Sequence, residues 1–522
     1  MMAAKQPGRR APCTAPGRRR WLTWLPWVLG LLIGLGAGAG MILIYPPPST
    51  DMIKVQAVNW YASMRNLVAP SSSGASAQSW VTDAHILADA PIALPPEAEQ
   101  DDELLTDDVA DLLNVNAPIP DPEQLAAALD DATAELGLHH RMMVADAATG
   151  QTLYESGGAD AIVPASTLKL FTAVSVLEHL DTTHRFTTSA TYAPGDGVTL
   201  VGGGDGLLST GEGTGTTVGY AGLADLAQET WDAIADDIPA DASAVNVWAD
   251  VSRYAGPWVH PQWTDGLMES GWVSPIYPLN TWGGLVADPQ YDNTAVEDGA
   301  AYATDVLARH LTDLAAADDR NIEFSYVGYK AAAPDTESVA QVRSATLGAQ
   351  LEFAMKQSNN MLFEMFGREA ALAAGAPADF TGSTQTTMSV VDDLGLDTQH
   401  LDFVDNSGLS PSNRATLQAT VQLFETILTE EHYRPLLDTL TIAGYDGTMR
   451  HRMDQAPYAG IVRSKTGTLE AASSNAGLTI TADGRALWFV INTTGADGDY
   501  EAAREEQDHL AEVVTDCGCN AQ

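Results

Sequence analysis

Three short motifs in this chain carry hydroxyl, amide and lysine amine groups, the side chains that serine-based acyl transfer needs. The first is Ser166-Thr167-Leu168-Lys169, at the start of an apolar stretch that predicts a helix. Positions i and i+3 share a helix face, so the Lys169 amine can approach the Ser166 hydroxyl. A serine is a weak nucleophile until a base takes its proton. A lysine is a base only when neutral, and burial near a helix N-terminus favours that form.

The second motif is Ser358-Asn359-Asn360, on a predicted loop between two helical stretches. A hydroxyl and an amide in such a position can relay a proton and hold a lysine in place. Taken alone, the same residues are more often a helix N-cap, because short polar side chains satisfy the first backbone N–H groups.

The third motif is Lys465-Thr466-Gly467-Thr468, which closes a predicted strand. Lys465 offers a positive charge, and the Thr466 and Thr468 hydroxyls can bind a carboxylate. Gly467 lets a substrate backbone come close. Alone, the motif also fits a surface turn, and Lys-Thr-Gly occurs by chance in on the order of one such sequence in ten.

The elements around these motifs predict a mixed α/β (α+β) fold. Asp121 and Pro122 have the residue types of a helix N-cap and first helical position. Apolar patterning predicts strands near both ends of the folded region, at 141–147, 151–155, 475–480 and 486–492. A final helix is predicted at 501–514. Strands at both ends with helices between them favour a sandwich closed by its N- and C-terminal elements.

The start of the chain predicts a membrane anchor. Residues 1–20 are basic and contain no acid, and residues 21–45 carry no charge. That length is enough to cross ~30 Å of hydrocarbon, and basic residues before the span place the N-terminus in the cytoplasm. A cleaved signal peptide is the less favoured alternative. Residues 46–117, rich in Pro, Ser and acids, then form a linker to an extracytoplasmic domain.

Composition excludes several classes of protein. The 522 residues carry a formal net charge of −43, which disfavours nucleic acid as a partner. Three cysteines cannot support a disulfide scaffold, and Cys517 and Cys519 lie too near the end to serve a cysteine transpeptidase. The 11 histidines form no His-Glu-x-x-His motif, so neither a metal site nor a cofactor is expected.

The order of the three motifs matches the active-serine enzymes that recognise penicillin. Over roughly residues 120–520 the chain resembles the D-Ala-D-Ala carboxypeptidase family typified by penicillin-binding protein 4. Further motifs carry this resemblance: Gly202-Gly203-Gly204-Asp205, Asp405-Asn406-Ser407-Gly408-Leu409-Ser410 and Gly444-Tyr445-Asp446-Gly447-Thr448-Met449-Arg450.

The resemblance implies a β-lactamase/transpeptidase-like sandwich of an antiparallel sheet with helices. Its penicillin-binding domain would comprise residues 118–194 and 336–522, with an inserted domain at 195–335. The substrates implied are peptidoglycan stem peptides ending in D-Ala-D-Ala, and β-lactam antibiotics would act as inhibitors. The same acyl-enzyme could serve an endopeptidase.

The resemblance also implies roles for the motif residues. Ser166 would attack the terminal D-Ala-D-Ala carbonyl, and Lys169 would be its general base. Ser358 would pass a proton to the leaving D-Ala, and Asn360 would orient Lys169. Lys465 would sustain a positive field.

Around that field, Thr466 and Thr468 would hold the substrate carboxylate beside Gly467. The backbone N–H groups of Ser166 and Thr468 would form the oxyanion hole. Two alternatives remain open: a β-lactamase or esterase with the same residues, and a wall-binding module without turnover.

Overall fold

The computed structural model describes residues 114–263, 265–288, 294–334 and 336–518. The predicted basic tail and membrane anchor lie outside these ranges, as does the linker up to residue 113. Within the described ranges, no helix is long and apolar enough to cross a membrane.

The strands of the described residues are numbered in chain order. They are β1 (His139–Asp146), β2 (Thr152–Ser156), β3 (Thr187–Ala193), β4 (Gly197–Val201), β5 (Asp205–Leu208), β6 (Ala244–Asp250), β7 (Leu279–Thr281), β8 (Glu323–Tyr329), β9 (Ser338–Arg343), β10 (Thr441–Ile442), β11 (Arg463–Leu469), β12 (Ala472–Ile480) and β13 (Ala486–Thr494).

The α-helices of the same residues are α1 (Pro122–Glu135), α2 (Lys169–His179), α3 (Leu223–Ile234), α4 (Asp265–Glu269), α5 (Gly299–Ala317), α6 (Leu347–Lys356), α7 (Asn360–Ala373), α8 (Phe380–Asp393), α9 (Leu417–Thr429), α10 (Pro435–Asp438) and α11 (Tyr500–Asp516). The predicted N-cap of α1 is confirmed: the Asp121 carboxylate accepts hydrogen bonds from the backbone N–H groups of Glu123 and Gln124.

One sheet has six antiparallel strands in the order β10-β11-β12-β13-β1-β2. It joins the two ends of the folded chain, because β1 pairs with β13 from His139↔Thr494 to Asp146↔Leu487. The predicted hairpin is present as β12 and β13, and α11 follows it. The predicted closure by N- and C-terminal strands is therefore what the structure has.

Alternating side chains bury both faces of this sheet. On one face, Trp488 and Val490 join an apolar core built with helices α2, α6, α7, α8 and α9. Phe424 of α9 stacks on Trp488, with ring centroids 4.9 Å apart. On the other face, Leu487 and Phe489 pack with side chains of α1 and α11. The period of two along β13 thus gives a helix–sheet–helix sandwich.

A second, five-stranded sheet has the order β8-β6-β4-β3-β9. Strands β4, β6 and β8 run parallel, whereas β3 is antiparallel to both of its neighbours. Its own core includes Leu226 of α3 and Leu307 of α5, packed with Val247 of β6. Most of this sheet lies within 195–335, with β3 and β9 just outside; the domain bounds stay a prediction.

Candidate active site

The first motif forms the junction between a single turn and a buried helix. Ala165–Leu168 is a 3₁₀ turn that leads directly into α2 at Lys169. Ala165 has φ of +48°, a left-handed conformation that is strained for an alanine and is held by its surroundings. Ser166 is partly exposed, whereas Lys169 is fully buried. The turn therefore presents a reachable hydroxyl above an amine that is hidden from water.

The Lys169 amine has three partners at hydrogen-bond distance. Its Nζ lies 2.8 Å from Ser166 Oγ, 2.7 Å from Asn360 Oδ1 and 2.6 Å from the Ser407 carbonyl oxygen. The amide and carbonyl oxygens can only accept, so they take the two N–H groups of a neutral amine. The lone pair then faces the Ser166 hydroxyl, which is the arrangement that a general base requires.

Burial lowers the pKa of Lys169 to about 7, because a charged amine loses its hydration there. The carboxyl groups of Asp405 and Glu364 act in the opposite direction and keep the pKa from falling further. A neutral amine is therefore accessible near neutral pH.

The second motif divides its three residues between structural and chemical positions. Asn359 is the N-cap of α7, with its side chain accepting from Leu362 N at 2.9 Å. The N-cap interpretation thus holds for Asn359. Asn360, the first residue of α7, binds Lys169 through Oδ1 and donates through Nδ2 to the Trp272 carbonyl at 2.8 Å. Ser358 has φ of +52° and stays partly exposed.

The third motif brings a second buried lysine to the same place. Lys465 Nζ donates to Ser358 Oγ at 2.8 Å and to the Thr466 carbonyl at 2.6 Å. Burial lowers the pKa of Lys465 well below its ordinary value, and the nearby Lys169 lowers it as well. The site therefore contains two amine–hydroxyl pairs, one on Ser166 and one on Ser358.

Strand β11 lines the site with an edge that, among the described strands, has no partner beyond Ser464; this part is called the free edge of β11. Strand β10 pairs only with Arg463 and Ser464, so the part of β11 from Lys465 onward extends beyond this partner. The Thr466 hydroxyl donates to Thr448 Oγ1 at 2.7 Å, and Thr468 is partly exposed. At Gly467 a Cβ atom would lie 2.5 Å from Ser166 N. The absence of a side chain at Gly467 thus makes room for the 165–168 turn, called here the nucleophile turn because it carries Ser166.

The loop after α8 supplies the Ser407 carbonyl, a group that residue patterns did not single out. This loop is held in place by Asp405, which is fully buried. The Asp405 carboxylate accepts from four donors: Gly408 N, Ser410 N, Asn413 Nδ2 and Trp263 Nε1, at 2.6 to 3.0 Å. The 405–410 segment is therefore a rigid backbone clamp on Lys169.

Gly408 lets this clamp fit under the nucleophile turn. Its φ is +80°, and a Cβ there would lie 1.9 Å from the Ala165 carbonyl oxygen. We expect Gly408→Ala to lower the free energy of unfolding by at least about 2 kcal/mol and to displace the Ser166 turn. Thermal melting and penicillin labelling of the variant test this. Gly375→Ala is the control: it also has positive φ but no atom within 4 Å of its Cβ position. If both variants lost the same free energy of unfolding, the contact of Gly408 with the Ala165 carbonyl would not be the cause.

Three functional groups were missed from the sequence: Glu364, the Ser407 carbonyl and the Thr448 hydroxyl. The signal for Glu364 was its position four residues after Asn360, which puts both on one face of α7. Thr448 and Ser407 lie in motifs that carried the family resemblance but had no assigned role. Among the described residues, no group of three or more His, Cys, Asp or Glu side chains could hold a metal ion.

Comparison with known proteins identifies the family. The model of the D-Ala-D-Ala carboxypeptidase 3 (S13) family matches residues 122–293 and 283–517. Carboxypeptidase DacB of Mycolicibacterium smegmatis is 32% identical over 423 residues, covering 78% of this chain and 87% of that protein. Carboxypeptidase Rv3627c of Mycobacterium tuberculosis is 32% identical over 389 residues, covering 72% and 80%.

The fold also matches a solved structure. The crystal structure of penicillin binding protein 4 from Haemophilus influenzae superposes with a TM-score of 0.60 at 20% identity, covering 73% of this chain and 99% of that one. This match confirms the predicted mixed α/β fold of antiparallel strands and helices. The chain belongs to the D-Ala-D-Ala carboxypeptidase 3 (S13) family and is a serine-type carboxypeptidase, as the motifs predicted.

Proposed function

We propose that this protein removes the terminal D-Ala from peptidoglycan stem peptides through an acyl-enzyme on Ser166, and that penicillin acylates the same serine. The observation that carries the proposal is the Lys169 amine. It lies 2.8 Å from Ser166 Oγ, while its two other partners are obligate acceptors. Lys169 takes the Ser166 proton as the hydroxyl oxygen attacks the carbonyl of the terminal peptide bond.

Collapse of the tetrahedral intermediate requires a proton on the leaving D-Ala nitrogen. Ser358 suits this step, because the residue is partly exposed and its hydroxyl accepts from Lys465 at 2.8 Å. A proton given by Ser358 to the leaving amine can be replaced from Lys465. Lys169 keeps the Ser166 proton until hydrolysis of the acyl-enzyme, when it returns that proton to Ser166 Oγ and a proton of the attacking water restores Lys465. Asn360 keeps Lys169 oriented through both acylation and deacylation.

The free edge of β11 suits the substrate's terminal residue. An extended peptide can pair with the main chain of this edge. Backbone N–H groups of Ser166 and Thr468 then serve as the oxyanion hole, for which about 3–4 kcal/mol per donor is typical. The Thr468 hydroxyl donates to the terminal carboxylate. The Thr466 hydroxyl, on the other side of Gly467, does so by giving up its hydrogen bond to Thr448 Oγ1.

Among the described residues, no carboxylate is hydrogen-bonded to Lys465, and the substrate supplies its counter-charge. Its direct hydrogen-bond partners are a hydroxyl and a carbonyl, and its pKa is lowered by burial. A bound terminal carboxylate supplies the missing negative charge and favours the ammonium form. Substrate binding and protonation of Lys465 are therefore coupled.

Lys465→Ala is expected to slow acylation by about ten- to a hundredfold, the cost of one charge-assisted hydrogen bond. The KM for a peptide with a free terminal carboxylate should rise. For a peptide amidated at that end, the substitution should reduce acylation less, because that peptide has no terminal carboxylate for Lys465 to bind. Steady-state kinetics with the two peptides measure this, and equal losses for both would contradict a carboxylate role for Lys465.

The proposed activity is tested by measuring free D-Ala released from a synthetic peptide ending in D-Ala-D-Ala. The wild-type chain should release one D-Ala per peptide and should hold a penicilloyl adduct for minutes to hours. Rapid hydrolysis of penicillin without peptide cleavage would instead indicate a β-lactamase. If the protein neither cleaves the peptide nor reacts with penicillin, a wall-binding module without turnover becomes the favoured function.

We also propose that residues 21–45 anchor the protein in a membrane, with residues 46–117 as a linker and the catalytic domain outside the cytoplasm. The support is the uncharged run behind a basic tail that contains no acid. The full chain expressed in a bacterium should sediment with membranes, and a chain starting at residue 46 should not. Soluble full-length protein would contradict the anchor.

A further inference from the structure

A buried glutamate lies behind the catalytic lysine. Glu364 has no exposed surface, and its Oε1 accepts from the backbone N–H groups of Asn406 at 3.0 Å and Ser407 at 2.8 Å. Two consecutive N–H groups directed at one oxygen form an anion-binding nest. Ser407 is also the residue whose carbonyl accepts from Lys169.

We propose that Glu364 is a positioning residue for acylation: it holds the Ser407 carbonyl against the Lys169 amine and so directs the amine's lone pair at Ser166. This inference rests on the proposed function, in which Lys169 is the general base.

One helix controls both acceptors of the lysine. Asn360 and Glu364 are one turn apart on α7, so they share a face of that helix. Asn360 binds Lys169 directly, and Glu364 binds it through the Ser407 main chain. If α7 shifted, both N–H bonds of the amine would move together. Helix α7 therefore contributes to the placement of both of these acceptors.

The Ser407 carbonyl is restrained from both sides. The N–H of Ser407 is held by Glu364, and the next N–H, on Gly408, is held by Asp405 Oδ1 at 2.9 Å. The preceding carbonyl, on Asn406, accepts from the Thr172 hydroxyl of α2 at 2.7 Å. Gly367 of α7 leaves space for the Asn406 side chain, since a Cβ there would lie 2.5 Å from Asn406 Cγ. Loss of Glu364 would leave two buried N–H groups without an acceptor.

Glu364 also affects the charge of the lysine. Charged groups around Lys169 are the carboxyls of Glu364 and Asp405 and the amine of Lys465, while Arg368 faces Glu364 from the same helix. Burial and the neighbouring Asp405 raise the pKa of Glu364 to about 8. The Glu364 carboxyl in turn raises the pKa of Lys169. A carboxyl with that pKa is largely protonated where Lys169 titrates, so glutamine, which keeps the accepting oxygen, is a close replacement for it.

The test compares Glu364→Gln, Glu364→Leu and wild type in the full chain. Penicillin acylation rates are measured from pH 5 to 9, and D-Ala release gives kcat and KM. We expect Glu364→Leu to lower kcat by about ten- to a hundredfold with KM within about twofold, because a misplaced base slows chemistry more than binding. Glu364→Gln should recover most of kcat, because its amide oxygen can still accept from the N–H groups of Asn406 and Ser407.

Glu369→Gln is the matched control. Glu369 is also buried on α7, but its partners are Arg253 and Tyr254 rather than the 406–407 backbone. At temperatures where it is folded, its kcat and KM should equal those of wild type.

A folded Glu364→Leu variant with wild-type kcat would overturn the inference, as would a folded Glu364→Gln variant whose kcat falls as far as that of Glu364→Leu. If Glu364→Leu fails to fold, Glu364→Gln decides: a kcat tenfold or more below wild type would overturn the inference, because its amide oxygen still accepts from the 406–407 backbone. Failure of the wild-type chain to be acylated would be a different result, because it would overturn the proposed function itself.

Discussion

Ser166→Ala is expected to abolish covalent labelling by a fluorescent penicillin and to lower D-Ala release by on the order of 10⁴-fold or more. The reason is that the Ser166 hydroxyl is the nucleophile of the proposed acyl-enzyme. Its place on the turn before α2 brings it within 2.8 Å of the Lys169 amine. Removing Oγ leaves the cleft and both lysines in place, so substrate can bind without forming a covalent intermediate.

Ser175→Ala is the matched control for this variant. Ser175 lies on the same helix, is fully buried, and its Oγ has no hydrogen-bond partner among the described residues. Its replacement should leave labelling and turnover at wild-type levels. Normal labelling of Ser166→Ala, in a protein that melts at the wild-type temperature, would exclude Ser166 as the nucleophile.

Lys169→Met is expected to slow acylation by about 10²- to 10⁴-fold, the range for loss of a positioned general base. Methionine keeps much of the buried apolar stem but cannot accept the Ser166 proton. In the wild-type chain the acylation rate should rise with pH through about 7, because burial lowers the pKa of Lys169 to that value and only the neutral amine is a base. The variant should lose this rise.

Acylation rates measured from pH 5 to 9 test both parts of this expectation. Lys330→Met is the control, because Lys330 forms an exposed ion pair with Asp196 beside the second sheet. Its rate and pH profile should match those of wild type. A Lys169→Met variant that keeps the rise near pH 7 would show that another group is the titrating base.

Local sequence rules located much of this site. The i, i+3 spacing of Ser166 and Lys169 brings the two groups together across one turn, and no long-range contact is needed to predict it. The N-cap at Asp121 and the β12–β13 hairpin follow from local residue preferences in the same way. The meeting of the three motifs followed from family resemblance, since no local rule joins residues 169, 360 and 465.

The parts of the site that were not predicted depend on main-chain groups and on burial. Neither can be read from residue types alone. The Ser407 carbonyl binds Lys169 from a loop 238 positions away, and any residue type could supply that oxygen. A glutamate on an amphipathic helix ordinarily faces water, so only the packed structure shows that Glu364 is buried. The low pKa of Lys465 likewise follows from its burial beside a second lysine rather than from its motif.

Intact-mass analysis after mixing with benzylpenicillin tests the central claim most directly. We predict one penicilloyl adduct per chain, stable for minutes to hours, which peptide mapping assigns to Ser166. A single adduct there would establish Ser166 as the acylated nucleophile of a slowly deacylating carboxypeptidase. An adduct on another residue, or no adduct on a folded chain, would contradict it.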